Sequence, residues 1–129
     1  MNNLLEGFAN TAYVLLRVVA GLLFLFHGVQ KVFGVLSQHP QPEVGSQLWI
    51  GGLLELVCGA LIALGVYTAP AAFVASGMMA VAYFQFHWKF QFGAQFFPAV
   101  NQGELAVLYC FLFLYVACRG SGMDKRKAR

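Results

Sequence analysis

Residues 11–33 read T-A-Y-V-L-L-R-V-V-A-G-L-L-F-L-F-H-G-V-Q-K-V-F, and this stretch decides the fold class. A membrane-crossing helix needs about 20 mostly apolar residues, each adding about 1.5 Å of rise. The run meets that requirement while carrying Arg17, His27 and Lys31 inside it. Ionisable groups at such depth are costly, and they mark either function or helix pairing. Arg17, Gly21, Phe24, Gly28 and Lys31 recur at i+3/i+4 spacing, so they share one stripe of the helix.

Outward from this run, residues 48–66, 70–87 and 102–118 form three more apolar segments of membrane-span length. Asn10 and Thr11 are the expected caps of the first helix. Residues 34–47 hold Pro40, Pro42 and Gly45 and read as an extramembrane loop. Only Tyr67-Thr68-Ala69 separates the second and third segments, with Gly65 before and Pro70 after, which reads as a tight helical hairpin. The connection 88–98 is unusually aromatic and is expected to lie along the membrane interface. No repeat is visible. The expectation is one domain over residues 1–129: an all-α membrane protein, an up-down-up-down four-transmembrane-helix bundle.

Composition agrees. Of the 129 residues, 60% are hydrophobic and 10% charged, with a mean hydropathy of +0.69. A soluble domain carries about 25% charged residues, and one this small has too much surface to hide so much apolar material. Five of the eight basic residues, Arg119, Lys125, Arg126, Lys127 and Arg129, sit at the C-terminal end. That tail suits anionic headgroups, and no stacking basic face points to nucleic acid. Lys and Arg counts put both termini in the cytoplasm, with the first and third connections facing outward. Residues 1–10 hold no Lys or Arg and the apolar run is too long for a signal sequence, so it is expected to remain as the first span. Cys58, Cys110 and Cys118 form no C-x-x-C and read as small hydrophobes, with no metal site implied.

With alternating helix direction, His27, Lys31, Glu55, His87, Asn101 and Glu104 fall toward the outer half of the bundle. Arg17 lies roughly 15 Å deeper than His27. Gly51, Glu55, Gly59 and Ala63 recur every four residues. Small residues at that spacing let helix backbones approach closely, so Glu55 is expected to face another helix, with Arg17 or Lys31 as its partner. Plainer alternatives stand beside each residue. Arg17 and Lys31 are long enough to extend toward the interfaces, and Glu55 suits a structural ion pair as well as a working site. His27 and His87 are two histidines without a third ligand. Glu104 suits the first turn of a helix.

The run Arg17 to Gly34, the segment Gly51 to Thr68, the stretch A-Y-F-Q-F-H at 82–87 and F-P-A-V-N-Q-G-E at 97–104 resemble the DoxX family of small prokaryotic membrane proteins. The resemblance implies a four-helix protein of the inner membrane associated with quinone-linked redox chemistry. One expectation is an accessory subunit of a respiratory or redox complex, or a homo-oligomer, in contact with the lipid bilayer. A second is a self-sufficient redox or proton-transfer protein holding a quinone near the outer surface. There His27, Tyr83, Phe84 and His87 would bind the quinone, with Tyr83 and Phe84 flanking its ring; His27, His87, Glu55 and Glu104 would exchange protons, and Arg17 or Lys31 would stabilise negative charge. A third is a small transporter or lipid-interacting protein. The chain lacks the cysteine pair that thiol oxidation by the remoter four-helix relatives requires.

Overall fold

The chain is described by a computed structural model over residues 3–123; Lys125, Arg126, Lys127 and Arg129 of the basic tail lie outside the described residues. Among the described residues all regular structure is helical. A 3₁₀ turn, Glu6–Phe8, leads into α1 (Ala9–Phe33), followed by α2 (Gln47–Leu64) and α3 (Thr68–Ala82). α3 runs on as a π-helical turn, Tyr83–Trp88; a 3₁₀ turn, Ala94–Phe96, and the short α4 (Pro98–Asn101) precede α5 (Glu104–Arg119). Three stretches, Glu6–Phe33, Gln47–Leu64 and Thr68–Trp88, are long and apolar enough to cross a membrane. α5 is not among them: its 16 residues rise about 24 Å against a hydrocarbon thickness of about 30 Å.

α1 begins at Ala9, ahead of the expected caps, and Phe8 stands at the N-cap without a side-chain bond. Asn10 is used elsewhere. Its amide donates to Gly122 O at 3.1 Å and its carbonyl oxygen accepts from Arg119 Nη2 at 2.9 Å. Arg119 also lies over the Tyr13 ring, 4.7 Å from its centre, and Tyr13 Oη donates to Gly120 O at 2.6 Å. The start of α1 therefore meets the end of α5, and Asn10 is withdrawn from capping by that long-range contact.

α2 is capped as its ends require: Ser46 Oγ accepts from Trp49 N–H at 3.3 Å. At its other end Gly65 adopts φ +76° and donates to Leu61 O at 2.9 Å, with Val66 N–H reaching the same carbonyl at 3.1 Å. A left-handed residue there closes the helix, and glycine is the residue that enters that region without steric cost. Tyr67 follows, and α3 starts one residue later, so the tight hairpin expected from residues 65–70 forms.

α1 and α2 pack backbone to backbone. A Cβ on Gly28 would lie 2.5 Å from Leu56 N and 2.6 Å from Gly52 O; one on Gly59 would lie 2.5 Å from Leu25 N and 2.7 Å from Gly21 O. Gly21, Gly28, Gly52 and Gly59 thus form the contact. Of the expected stripe Gly51, Glu55, Gly59 and Ala63, Glu55 and Gly59 lie on the buried face; at its start the contact passes to Gly52, where a Cβ would meet Lys31 Cβ at 2.7 Å, while one on Gly51 would meet no atom of the described residues within 4 Å. One residue is a rotation of 100° on a helix, so the buried face of α2 runs through Gly52, Glu55, Gly59 and Ile62. α3 and α5 form the other close pair, with Ala71, Ala72, Ala75 and Ser76 buried and Ser76 Oγ donating to Cys110 O at 2.7 Å. Between the pairs lies an aromatic layer, where Phe24 packs on Phe113 and Tyr109 with ring centres 4.9 and 6.0 Å apart.

Candidate functional site

The stripe predicted on α1 is the buried one: Arg17, Gly21, Phe24 and Gly28 all face inward, and Lys31 is half-buried. Its two cations have different partners. Lys31 Nζ donates to Glu55 Oε1 at 2.7 Å, forming an ion pair. Glu55 is 3% exposed, while the Lys31 side chain keeps 33% of its surface. The second carboxylate oxygen, Oε2, is buried without a hydrogen-bond partner among the described residues. The glycines explain the geometry. Gly28 and Gly52 bring the α1 and α2 backbones together one turn from Lys31 and Glu55, so a lysine is long enough to reach an acid within the interface.

Arg17 does not reach Glu55. It is 2% exposed, and its Nη1 donates to Ile62 O and to Ala63 O, the latter at 2.9 Å. Those carbonyls belong to the last turn of α2, where helix geometry leaves four carbonyls without a partner and the macrodipole is negative. Arg17 is therefore a C-terminal cap supplied by a neighbouring helix, and it binds no carboxylate among the described residues. No sequence pattern pointed to these carbonyls, because every residue carries one.

The outer polar residues separate into two groups. Asn101 is buried and organises one of them: its Nδ2 donates to Tyr83 Oη at 3.2 Å and Gln95 O at 3.0 Å, and its Oδ1 accepts from Gly103 N–H at 2.9 Å. His87 Nδ1 lies 3.4 Å from Asn101 O. A Cβ on Gly103 would sit 2.7 Å from both Asn101 Oδ1 and the Tyr83 ring, so the junction between α4 and α5 is closed over this knot. Glu104 is exposed and lines an open groove of about 390 Å³ with Pro98, Ala99, Gln102, Leu105 and Leu108. His27 lies on the outer surface of α1, away from the buried stripe, and Phe84 is likewise on the surface. Of the four residues expected around a ring, Tyr83 and His87 meet on Asn101 and the Tyr83 and Phe84 rings touch edge-on with centres 5.7 Å apart, while His27 stands apart on α1.

The connection after α3 carries its own backbone cost. Lys89 and Phe90 are consecutive left-handed residues at φ +53° and +54°, each costing about 1 kcal/mol or more. That reversal lays Phe90 parallel to Phe84, 5.6 Å between ring centres, with Trp88 touching Phe90, Phe92 and Phe96. Gln47 and Gln85 exchange reciprocal amide hydrogen bonds of 2.7 and 3.0 Å, tying this segment to the start of α2. Sequence reading missed that pair, since glutamine in a span end carries no pattern of its own.

Two outcomes follow from these contacts. Lys31→Met leaves the buried Glu55 carboxylate unpaired and is expected to cost about 3 kcal/mol, the low end for a broken buried pair because the ammonium is partly exposed. Lys31→Met with Glu55→Leu should recover most of that loss; unfolding of the four chains of this cycle in mixed micelles measures it, and equal losses in single and double variants would deny the pair. Asn101→Ala removes the side-chain bonds to Tyr83, Gln95 and Gly103, whose N–H keeps only Pro98 O at 3.1 Å, and is expected to cost roughly 1–3 kcal/mol, read as faster proteolysis within residues 89–98; an unchanged cleavage rate would show that the knot does not hold the segment.

A family model described as DoxX matches residues 12–88. An uncharacterized protein of Haemophilus influenzae is 40% identical over 125 residues, covering 95% of this chain and 92% of that one. No solved structure matches the chain. The family match takes in the α1 stripe, Glu55, the tight hairpin and the π turn, and the relative extends the likeness over nearly the full length. The chain belongs to the DoxX family of membrane proteins.

Proposed function

We propose that this protein is a four-pass inner-membrane accessory subunit of a quinone-linked redox complex, with both termini in the cytoplasm. One observation carries the accessory role: the intramembrane polar groups hold helices together. Arg17 caps α2 from α1, Lys31 pairs with Glu55 across the α1–α2 contact, and Asn101 has partners for its side-chain amide on both atoms. Groups engaged in this way stabilise a scaffold. The outer surface meanwhile remains strongly apolar, with Leu15, Val19, Leu22 and Leu23 on one face of α1 and Leu108 and Phe111 on α5. Such faces suit lipid or neighbouring membrane helices. The meeting of Asn10 with Arg119 and Gly122 supports an even number of passes, and the C-terminal basic residues support a cytoplasmic end.

The test is purification from the native membrane in mild detergent at native expression. The expected result is co-migration with subunits that carry a redox chromophore, together with a fall in membrane quinone-reduction rate when the chain is deleted. A chain that migrates alone, with that rate unchanged, would overturn the proposal.

One observation favours a second reading. Glu55 Oε2 is a buried acceptor without a partner among the described residues, and such a group is costly unless something donates to it. A quinone group does not fit the set His27, Tyr83, Phe84 and His87, because His27 and Phe84 face outward. It fits Glu55 and Lys31 better, where Oε2 would accept a hydroxyl hydrogen and the half-exposed ammonium would steady an anionic oxygen. Binding of a short-chain quinol to purified protein should then weaken at least tenfold in Glu55→Gln; equal binding by both chains removes this reading.

A further inference from the structure

We infer that the aromatic connection between α3 and α4 is seated in the bilayer interface and supplies the apolar length that α5 lacks; this rests on the four-pass reading. α5 rises about 24 Å, short of the ~30 Å hydrocarbon thickness by about one helical turn. The missing length falls at the end away from the termini, where α5 is preceded by α4 and by the segment that carries Trp88, Phe90, Phe92, Phe96 and Phe97. These side chains make a continuous patch on the surface: Phe92 is 79% exposed and Phe90 63%, although each touches Trp88. Water would make that exposure expensive, since monomeric soluble proteins rarely leave contiguous apolar patches of this kind uncovered.

The occupant is the acyl–headgroup boundary of the bilayer. The patch continues the surface of a lipid-facing helix, because Phe84 and Phe86 on the π turn are themselves outward. Trp49 and Trp88, the chain's two tryptophans, lie at the same end of the bundle, since Gln47 and Gln85 beside them are bonded. Tryptophan gathers at headgroup depth for its amphipathic ring. The polar end of Trp88 is provided for internally, Nε1 donating to Gln91 O at 2.7 Å, which lets the ring lie deeper than an interfacial indole that depends on water. The left-handed pair Lys89–Phe90 gives the connection its flat reversal, so the rings lie beside the bundle end and do not project away from it.

The test uses the full chain in phosphatidylcholine vesicles. In a Trp49→Phe, Trp88→Phe, Phe92→Trp chain, the single indole should emit blue-shifted light, roughly halved by lipid brominated near the headgroup and little affected by aqueous iodide. Iodide quenching as strong as in the detergent-free unfolded chain, or quenching by neither agent, would overturn the inference. Should the triple variant misfold, Trp49→Phe alone leaves Trp88 as the probe with the same expected result. Adding Phe90→Lys to the single-tryptophan chain should raise iodide quenching severalfold while helix content stays constant. Labelling of each terminus from the two sides of the vesicle separates the two ideas. Termini on one side with a water-exposed indole overturn the aromatic seat alone; termini on opposite sides overturn the four-pass reading and the seat with it.

Discussion

Gly59→Ala and Gly28→Ala are each expected to destabilise the protein by about 2–3 kcal/mol, the upper part of the range for overpacking a tight core. The reason is what the added methyl would meet. At Gly59 it would lie 2.5 Å from Leu25 N and 2.7 Å from Gly21 O, and at Gly28 it would lie 2.5 Å from Leu56 N. These are backbone atoms, which have no rotamer through which to retreat. α1 and α2 must separate, and that separation lengthens the Lys31–Glu55 bond and lifts Arg17 from the α2 carbonyls. Gly51→Ala is the matched control: its Cβ meets nothing, and replacing a mid-helix glycine gains up to about 1 kcal/mol. Unfolding in mixed micelles followed by circular dichroism measures all three. Equal stability of Gly59→Ala and Gly51→Ala would refute backbone contact as the basis of the α1–α2 interface.

Arg17→Met should remove the second tie between α1 and α2, the one made to backbone carbonyls. Two effects oppose each other. Removing a guanidinium that is 2% exposed relieves its desolvation, which costs several kcal/mol for a buried ion. Against that, Ile62 O and Ala63 O lose charged donors worth about 1.5–3 kcal/mol each, and the negative end of α2 loses its cation. Because the groups left behind are neutral carbonyls, the net loss should be about 2–3 kcal/mol, below that for stranding a buried charge. Arg17→Lys keeps the charge but offers one ammonium in place of a planar fork, so it should recover part of the loss. The accompanying readout is local: hydrogen exchange at Gly65 and Val66, which close α2, should accelerate in Arg17→Met. Unchanged exchange there, with stability intact, would deny the capping role.

Much of this arrangement was legible beforehand. The α1 stripe from Arg17 to Lys31 is the buried face, Glu55 does point between helices, and the hairpin at residues 65–70 closes as its Gly and Pro positions indicate. Each of these depends on spacing along one chain segment, which a sequence displays. What failed depended on rotation or on distant partners. On α2 the stripe holds at Glu55 and Gly59 but starts at Gly52 in place of Gly51, because the two glycines are adjacent and composition cannot choose between faces 100° apart. His27 was grouped with the polar cluster by depth, although its direction on α1 is outward. Asn10 suits a cap on local grounds, while its partners Arg119 and Gly122 are more than a hundred positions away.

Composition and the four apolar runs, beginning with residues 11–33, by themselves determined a helical membrane protein with charges within its helices. The reason is solvent physics: a chain with so few charges and so much apolar surface requires lipid around it, and a backbone in lipid must bond to itself. Only the tertiary structure decided which cation meets Glu55 and what Arg17 binds. Both cations share one stripe and both are long enough to reach an acid. The choice between them was made by where the glycines let two backbones touch, and by carbonyls at the end of α2 that become acceptors only once the helix ends there.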